Sequence, residues 1–422
     1  MHSSQSKATD QLFVGREAEL RRFREEVLLP DEGQAVLVIG QQGMGKTMLT
    51  ERMADIASNH PGLKIACLRY EVTKNDTVEM TIDLMMDHAF EAARGFLNAG
   101  ADSPTGQAQW RGLIETLMKL GLGLRGEALA DLVGLLRREP ARHARDQFIT
   151  ALGELSRRLA PGGRAVFVID PEKYMAPDCD QDWALIIRRL PERIKLVFAQ
   201  RPDDALASGD SLNGIPNVIR IPESDLQELA GDKVEELIGF YSERIDASLD
   251  EIRKAIGRYG GHPYAVSAAL DLLADGSPIE DLPADPTPTK IAEAQWKRLC
   301  GEYGKDAIRL FEAYAVLEVD APDGVVEAVA EIPREARISL LAKPFPGGLV
   351  RREESGGRIY HSLLSDHIRT KLEESVKKSY HGRAAAAYRK LLADERPQPL
   401  AAERLPRHVP RRRGIQRLSR RS

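Results

Sequence analysis

Gln34–Met53 reads QAVLVIGQQGMGKTMLTERM. Its first part, Ala35 to Ile39, is an apolar run of strand length and β-branched character. Gly40-Gln41-Gln42-Gly43-Met44-Gly45-Lys46-Thr47 follows and fits G-x-x-x-x-G-K-[ST], and an amphipathic helical segment begins at once. Glycines 40, 43 and 45 let the backbone wrap so that its N–H groups face phosphate oxygens. The helix start, with Met48 in its first turn, adds unpaired N–H groups and the positive end of its dipole. Lys46 can reach β- and γ-phosphates, and the Thr47 hydroxyl can ligate Mg²⁺. A glycine-rich turn with an incidental lysine is the plain alternative. The strand–loop–helix order favours a nucleoside-triphosphate site.

Around this stretch lie 422 residues, enough for two or three domains. A formal charge of −4 gives no overall basic field for nucleic acid. Cys67, Cys179 and Cys300 are far apart and fit buried thiols better than a disulfide or zinc framework. No run of about 18 apolar residues and no apolar leader occurs, so a cytoplasmic protein without a membrane partner is expected.

Leu63–Val72 reads as a second strand. The region 73–160 is long and mostly helical, an unusual insertion between two strands, and packing is its simplest role. Arg164–Ile169 is a third strand ending in Asp170, the carboxylate that a Mg²⁺-phosphate site needs, and Asp170 with Thr47 is the expected metal pair. The acid expected to polarise the attacking water usually follows that aspartate directly. Here Pro171 intervenes and Glu172 comes one place later, which predicts slow hydrolysis. The run Asp178 to Asp182 is no EF-hand loop, because Trp183 and Arg189 stand where a glycine and a carboxylate are required. Ile194–Gln200 is a fourth strand running into Arg201, and Asn217–Ile221 a fifth.

Phe13-Val14-Gly15-Arg16-Glu17-Ala18-Glu19-Leu20, placed ahead of the loop, resembles the F-x-G-R-E-x-E-L entry segment of AAA+ and STAND-type ATPases. The resemblance implies that Val14, Gly15 and Arg16 lie beside the adenine, and that Arg201 senses the γ-phosphate; a solvated strand-end arginine is the competing reading. Gly261-His262-Pro263 resembles the G-x-P signature of the STAND helical lid, whose proline leans on the adenine, although a glycine helix stop and a proline helix start explain the same residues. Tyr360-His361 matches the STAND histidine near the β-phosphate of ADP; a surface histidine at a helix start is the alternative.

The expected organisation is a disordered start (1–12), an α/β P-loop NTPase core (13–222) with the insertion, and a helical lid (223–276). A proline-rich linker (277–290), a winged-helix domain (291–375) carrying a β-hairpin near 348–360, and a helix with a basic tail (376–422) complete it. The resemblance implies an ATP/ADP- and Mg²⁺-binding switch in signalling, regulation or defence. Such a switch is closed with ADP, open with ATP, and self-associates on ATP binding, with an unknown trigger and effector protein. A DNA-binding AAA+ ATPase of initiator or transposition type is the alternative. The segment Pro333–Ser339, the expected reading helix, is only weakly basic, which disfavours it. A nucleotide-binding scaffold without turnover is a third reading.

Overall fold

The computed structural model describes residues 13–61, 63–72, 149–150, 152–153, 155–157, 159, 162–171, 180–202, 212, 214–318, 321–353 and 356–393. Most of the 73–160 insertion, Glu172 and the basic tail lie outside them. The chain forms two compact units, Met1–Lys233 and Val234–Ser422.

The N-terminal unit is built on five parallel strands: β1 (Gln34–Ile39), β2 (Lys64–Val72), β3 (Gly163–Pro171), β4 (Ile194–Gln200) and β5 (Val218–Arg220). They lie in the order β2-β3-β4-β1-β5. Before β1 come helix α1 (Glu17–Arg22) and a π-helical turn (Phe23–Leu28); α2 (Lys46–Ser58) follows β1, and α3 (Asp180–Arg188) precedes β4. Alternation along the strands divides two cores. Leu37, Phe167, Leu196 and Phe198 face one way, against Trp183, Ile186 and Ile187 of α3, with Trp183 edge-on to Phe198 at 5.1 Å. Val36, Val38, Val166, Val168 and Val197 face the other, against Phe23, Val27, Leu49 and Met53. Burial on both faces explains why these strands read as unbroken apolar runs rather than alternating ones.

Among the described residues of these strands, Arg164, Lys195 and Gln200 break that rule. Lys195 is fully buried, and its ammonium donates to the carbonyls of Pro30 (2.9 Å) and Glu32 (2.5 Å) and to Gln34 Oε1 (2.9 Å). The turn before β1 thus caps the N-terminal end of β4. Burial lowers the Lys195 pKa to about 8, with the neighbouring Arg164 charge acting in the same direction.

The C-terminal unit is helical apart from one hairpin. It begins within α4 (Gly231–Ser242) and continues through α5 (Leu249–Gly257) and α6 (Pro263–Ala274). Then come α7 (Pro288–Glu302), α8 (Gly304–Leu317), α9 (Asp323–Ala330), α10 (Arg334–Leu341) and the short α11 (Pro344–Gly348). The hairpin β6 (Val350–Glu353) and β7 (Gly356–Ile359) precedes α12 (Ser362–Lys371) and α13 (Glu374–Ala393). Pro344 opens α11, where its fixed φ suits the first helical position. At Gly356 a Cβ would sit 2.1 Å from the Ala321 carbonyl, so the hairpin's close approach to 321 requires glycine.

The expected linker is an ordered connection. Residues 279–281 form a 3₁₀ turn, Leu282 is buried, and the Tyr259 hydroxyl donates to the Pro283 carbonyl. Asp275 accepts from Arg298 Nε (2.9 Å) and the Tyr303 hydroxyl (2.6 Å), which fastens the end of α6 to α7.

Candidate functional site

The loop after β1 and the residues after β4 leave the sheet side by side. Ile39 pairs with Gln200, and the Gly40 N–H donates to the Gln200 carbonyl at 3.2 Å, so Arg201 emerges next to the first P-loop residue. From β1 the chain crosses toward β2, and from β4 it crosses the other way to β5. That divergence is the topological switch point at which open α/β sheets bind ligands.

Within the loop, Gly43 and Gly45 have φ of 84° and 83°, left-handed values that a side chain resists. Gly45 is the N-cap of α2, without a side-chain cap, and the first helical turn holds no acidic residue. The N–H groups there, including those of Thr47 and Met48, are therefore offered to an anion instead of to a capping side chain. The Lys46 ammonium curls over the loop and donates to the carbonyls of Gly40 (2.8 Å) and Gln41 (2.9 Å). Gln41 is exposed and Gln42 half-buried, whereas the Met44 side chain is buried in the core beside Leu49 and Met53. Of these loop residues, Met44 can meet a ligand only through its backbone.

Gln200, which the sequence marked as a strand end but not as a site residue, ends β4 fully buried, and neither its Oε1 nor its Nε2 has a partner. A polar side chain ending a run of buried Ile194–Ala199 was the available signal. Such an orphaned amide suits a polar group delivered to the strand ends. Asp170 is the penultimate residue of β3, its backbone opposite Glu71; its side chain lies outside the described residues. Since β4 lies between β3 and β1, Asp170 is two strand spacings, about 10 Å, from the loop strand. The donor set fits Mg²⁺–ATP: a lysine and helix N–H groups for phosphate, with a hydroxyl and a carboxylate for the metal. Among the described residues no group of three or more His, Cys, Asp or Glu side chains could hold a metal ion.

The entry segment lines the same loop. Val14 is buried, and a Cβ on Gly15 (φ 75°) would come within 3.1 Å of Leu229 and Lys233. Arg16 is 6% exposed; its Nη2 donates to the carbonyls of Met44 (3.3 Å) and Gln227 (2.7 Å), and its Nη1 pairs with Glu19 at 3.4 Å.

Two further expected site residues, Pro263 and His361, lie in the C-terminal unit. His262 caps α6, its Nδ1 accepting from the Ala265 N–H (3.4 Å), and Pro263 is the first helical residue. The next residue, Tyr264, places its ring 4.7 Å from that of His361, which also contacts Tyr360 at 4.5 Å. His361 retains some accessible surface yet is enclosed by protein atoms, and this burial lowers its pKa to about 4. At neutral pH it is an uncharged imidazole.

No curated protein matches the chain. Among solved structures it is similar to the Aeropyrum pernix ORC1 protein in complex with DNA, at 14% identity and a TM-score of 0.34 over 86% of this chain and 94% of that one. It is likewise similar to the Aeropyrum pernix ORC2 protein in its ADP form (14%, TM-score 0.31, 88% and 94%) and to a single-residue variant of Thermotoga maritima RuvB (10%, TM-score 0.28, 88% and 96%). Residues 12–184, the part of the chain that carries the P-loop, match the family model described as AAA ATPase domain.

Proposed function

We propose that the protein is an ATP-binding, slowly hydrolysing molecular switch of STAND type, closed with ADP, open with ATP, and self-associating when open. The observation that carries the nucleotide reading is the loop 40–47 at the switch point, with Gly40 bonded to Gln200 and the α2 N-terminus uncapped. Lys46 would hold the phosphates, Thr47 and Asp170 the Mg²⁺, and Arg201 would approach the γ-phosphate. Bound Mg²⁺ would neutralise charge on the β- and γ-oxygens. Pro171 after Asp170 displaces Glu172 from the usual position for orienting water, which supports turnover well below about 10 s⁻¹. Glu172→Gln should then slow hydrolysis and leave ATP affinity unchanged; normal hydrolysis by this variant would remove Glu172 as the base.

The switch reading draws support from the meeting of Tyr264 with His361, since the two stretches that resemble STAND lid and winged-helix signatures pack together within one unit. Against the DNA-binding alternative, three arginines of α10 and the hairpin are paired or buried, although Arg334 of α10 is exposed. Arg337 is 2% exposed and paired with Asp323 (2.7 Å) and Glu327 (2.8 Å), Arg352 is paired with Asp323, and Arg358 is buried. Ion-paired arginines neutralise few phosphates. Sedimentation with ADP and with ATP–Mg²⁺ tests the switch: the ATP sample should contain a faster-sedimenting species, and identical profiles would refute nucleotide-controlled assembly.

A further inference from the structure

The Arg16 guanidinium reaches past the entry segment to the outside of the P-loop. Its two carbonyl acceptors come from stretches remote in sequence, Met44 in the loop and Gln227 beyond β5. The Gln227 carbonyl is held independently of Arg16, because the neighbouring Leu226 N–H donates to the Ile39 carbonyl (2.7 Å); the Lys233–Glu17 pair (3.1 Å) is a separate stitch farther along the chain. Arg16 thereby ties the loop to a fixed wall.

Peptide geometry gives this tie a consequence. The Met44 C=O and the Gly45 N–H belong to one planar trans unit and point in opposite directions. A guanidinium holding the carbonyl on one side turns the Gly45 N–H to the other, away from Arg16. Gly45 needs that help, since its freedom at φ 83° also lets the peptide rotate. The Met44 side chain, buried in the core, anchors the residue in front of this peptide.

We infer that Arg16 is a positioning residue for polyphosphate: by gripping the Met44 carbonyl against Gln227, it aims the Gly45 N–H at the phosphate and does not read the adenine. The inference rests on the P-loop being a nucleotide site. An arginine suits the task because one planar fork serves both carbonyls and Glu19 in fixed directions, which a lysine ammonium does not reproduce.

The test is the affinity of the full chain for ATP and for inorganic triphosphate, a ligand with no base, measured by competition against a fluorescent nucleotide. Arg16→Ala should weaken both by about tenfold, the scale of one charge-assisted hydrogen bond. Arg16→Lys should weaken both by a smaller factor. Lys233→Ala, which cuts a neighbouring stitch without touching the loop carbonyl, should leave both near the parent values. If Arg16→Ala fails to unfold cooperatively on heating, Arg16→Lys decides alone, with equal weakening of the two ligands supporting the proposal. Weakened ATP with unchanged triphosphate would make Arg16 an adenine contact and overturn it, as would unchanged affinity for both or equal losses in Lys233→Ala. A parent protein that binds neither ligand would instead overturn the nucleotide reading beneath the proposal, and the proposal with it.

Discussion

The P-loop wall of the N-terminal unit and the Tyr264–His361 contact of the C-terminal unit differ in how they are built. The first is local: eight consecutive residues carry the loop, and the strand before and helix after fix its shape. The second joins residues about a hundred positions apart, at the starts of α6 and α12, and its imidazole is kept neutral by burial. Local sites announce themselves by residue type and spacing. Assembled ones depend on how helices pack, and their chemistry follows from the packing. A loop built of glycines and one lysine should fail outright when the lysine is lost, whereas a packed imidazole should act by degrees, through the balance between two states.

Lys46→Ala tests the local half and carries the largest expected effect. It should lower ATP affinity by roughly 1,000-fold, since charge-assisted bonds to two phosphates are lost without a substitute. Calorimetry showing parent-like binding would remove the loop from the site. His361→Leu tests the assembled half. If the imidazole favours the ADP-bound state, its removal should weaken ADP relative to ATP by roughly 5- to 150-fold, the range of typical allosteric couplings, and enlarge the self-associating fraction. An unchanged preference in competitive binding together with an unchanged mass would leave His361 as a packing residue.

Smaller effects should separate the units by pH. The depressed His361 pKa means that the folded state disfavours the proton. Its contribution to stability is complete above the ordinary value of 6.5 and is lost as pH falls toward about 4. Lys195, at about 8 against an ordinary 10.5, makes a contribution that grows as pH rises from 8 toward 10.5 and is lost as pH falls through 8. Parent-minus-variant melting profiles for His361→Leu and Lys195→Met should therefore change slope at opposite ends of the scale. Lys195→Met should cost more near pH 10 than at neutral pH, because the Pro30 and Glu32 carbonyls lose their donor at both while a buried charge is relieved only at the lower. Parallel profiles would contradict the burial assigned to both groups.

How much could be read in advance follows the same division. Strands β1, β3 and β4 were legible as apolar runs, and the loop as a motif, because each is set by near neighbours. The strand order was not, since five parallel strands of similar composition carry no label for their neighbours; with it the adjacency of Gly40 and Gln200 stayed hidden. Arg16 was legible as part of an entry segment, yet its acceptors are backbone carbonyls, which every residue possesses and no sequence marks. Lys195 and Gln200 were visible as polar residues at the two ends of a buried strand. Their opposite fates, one capped by three acceptors and the other without a partner, depend on what the turn 30–34 and the strand ends bring to them.

The most direct test of the nucleotide switch is native mass spectrometry of the purified full chain, with any bound small molecule released and identified. One adenosine diphosphate per chain is expected, exchanging on incubation with excess ATP–Mg²⁺ to give complexes of higher mass. A chain that emerges without nucleotide and takes up none from ATP–Mg²⁺ would contradict the switch at its root.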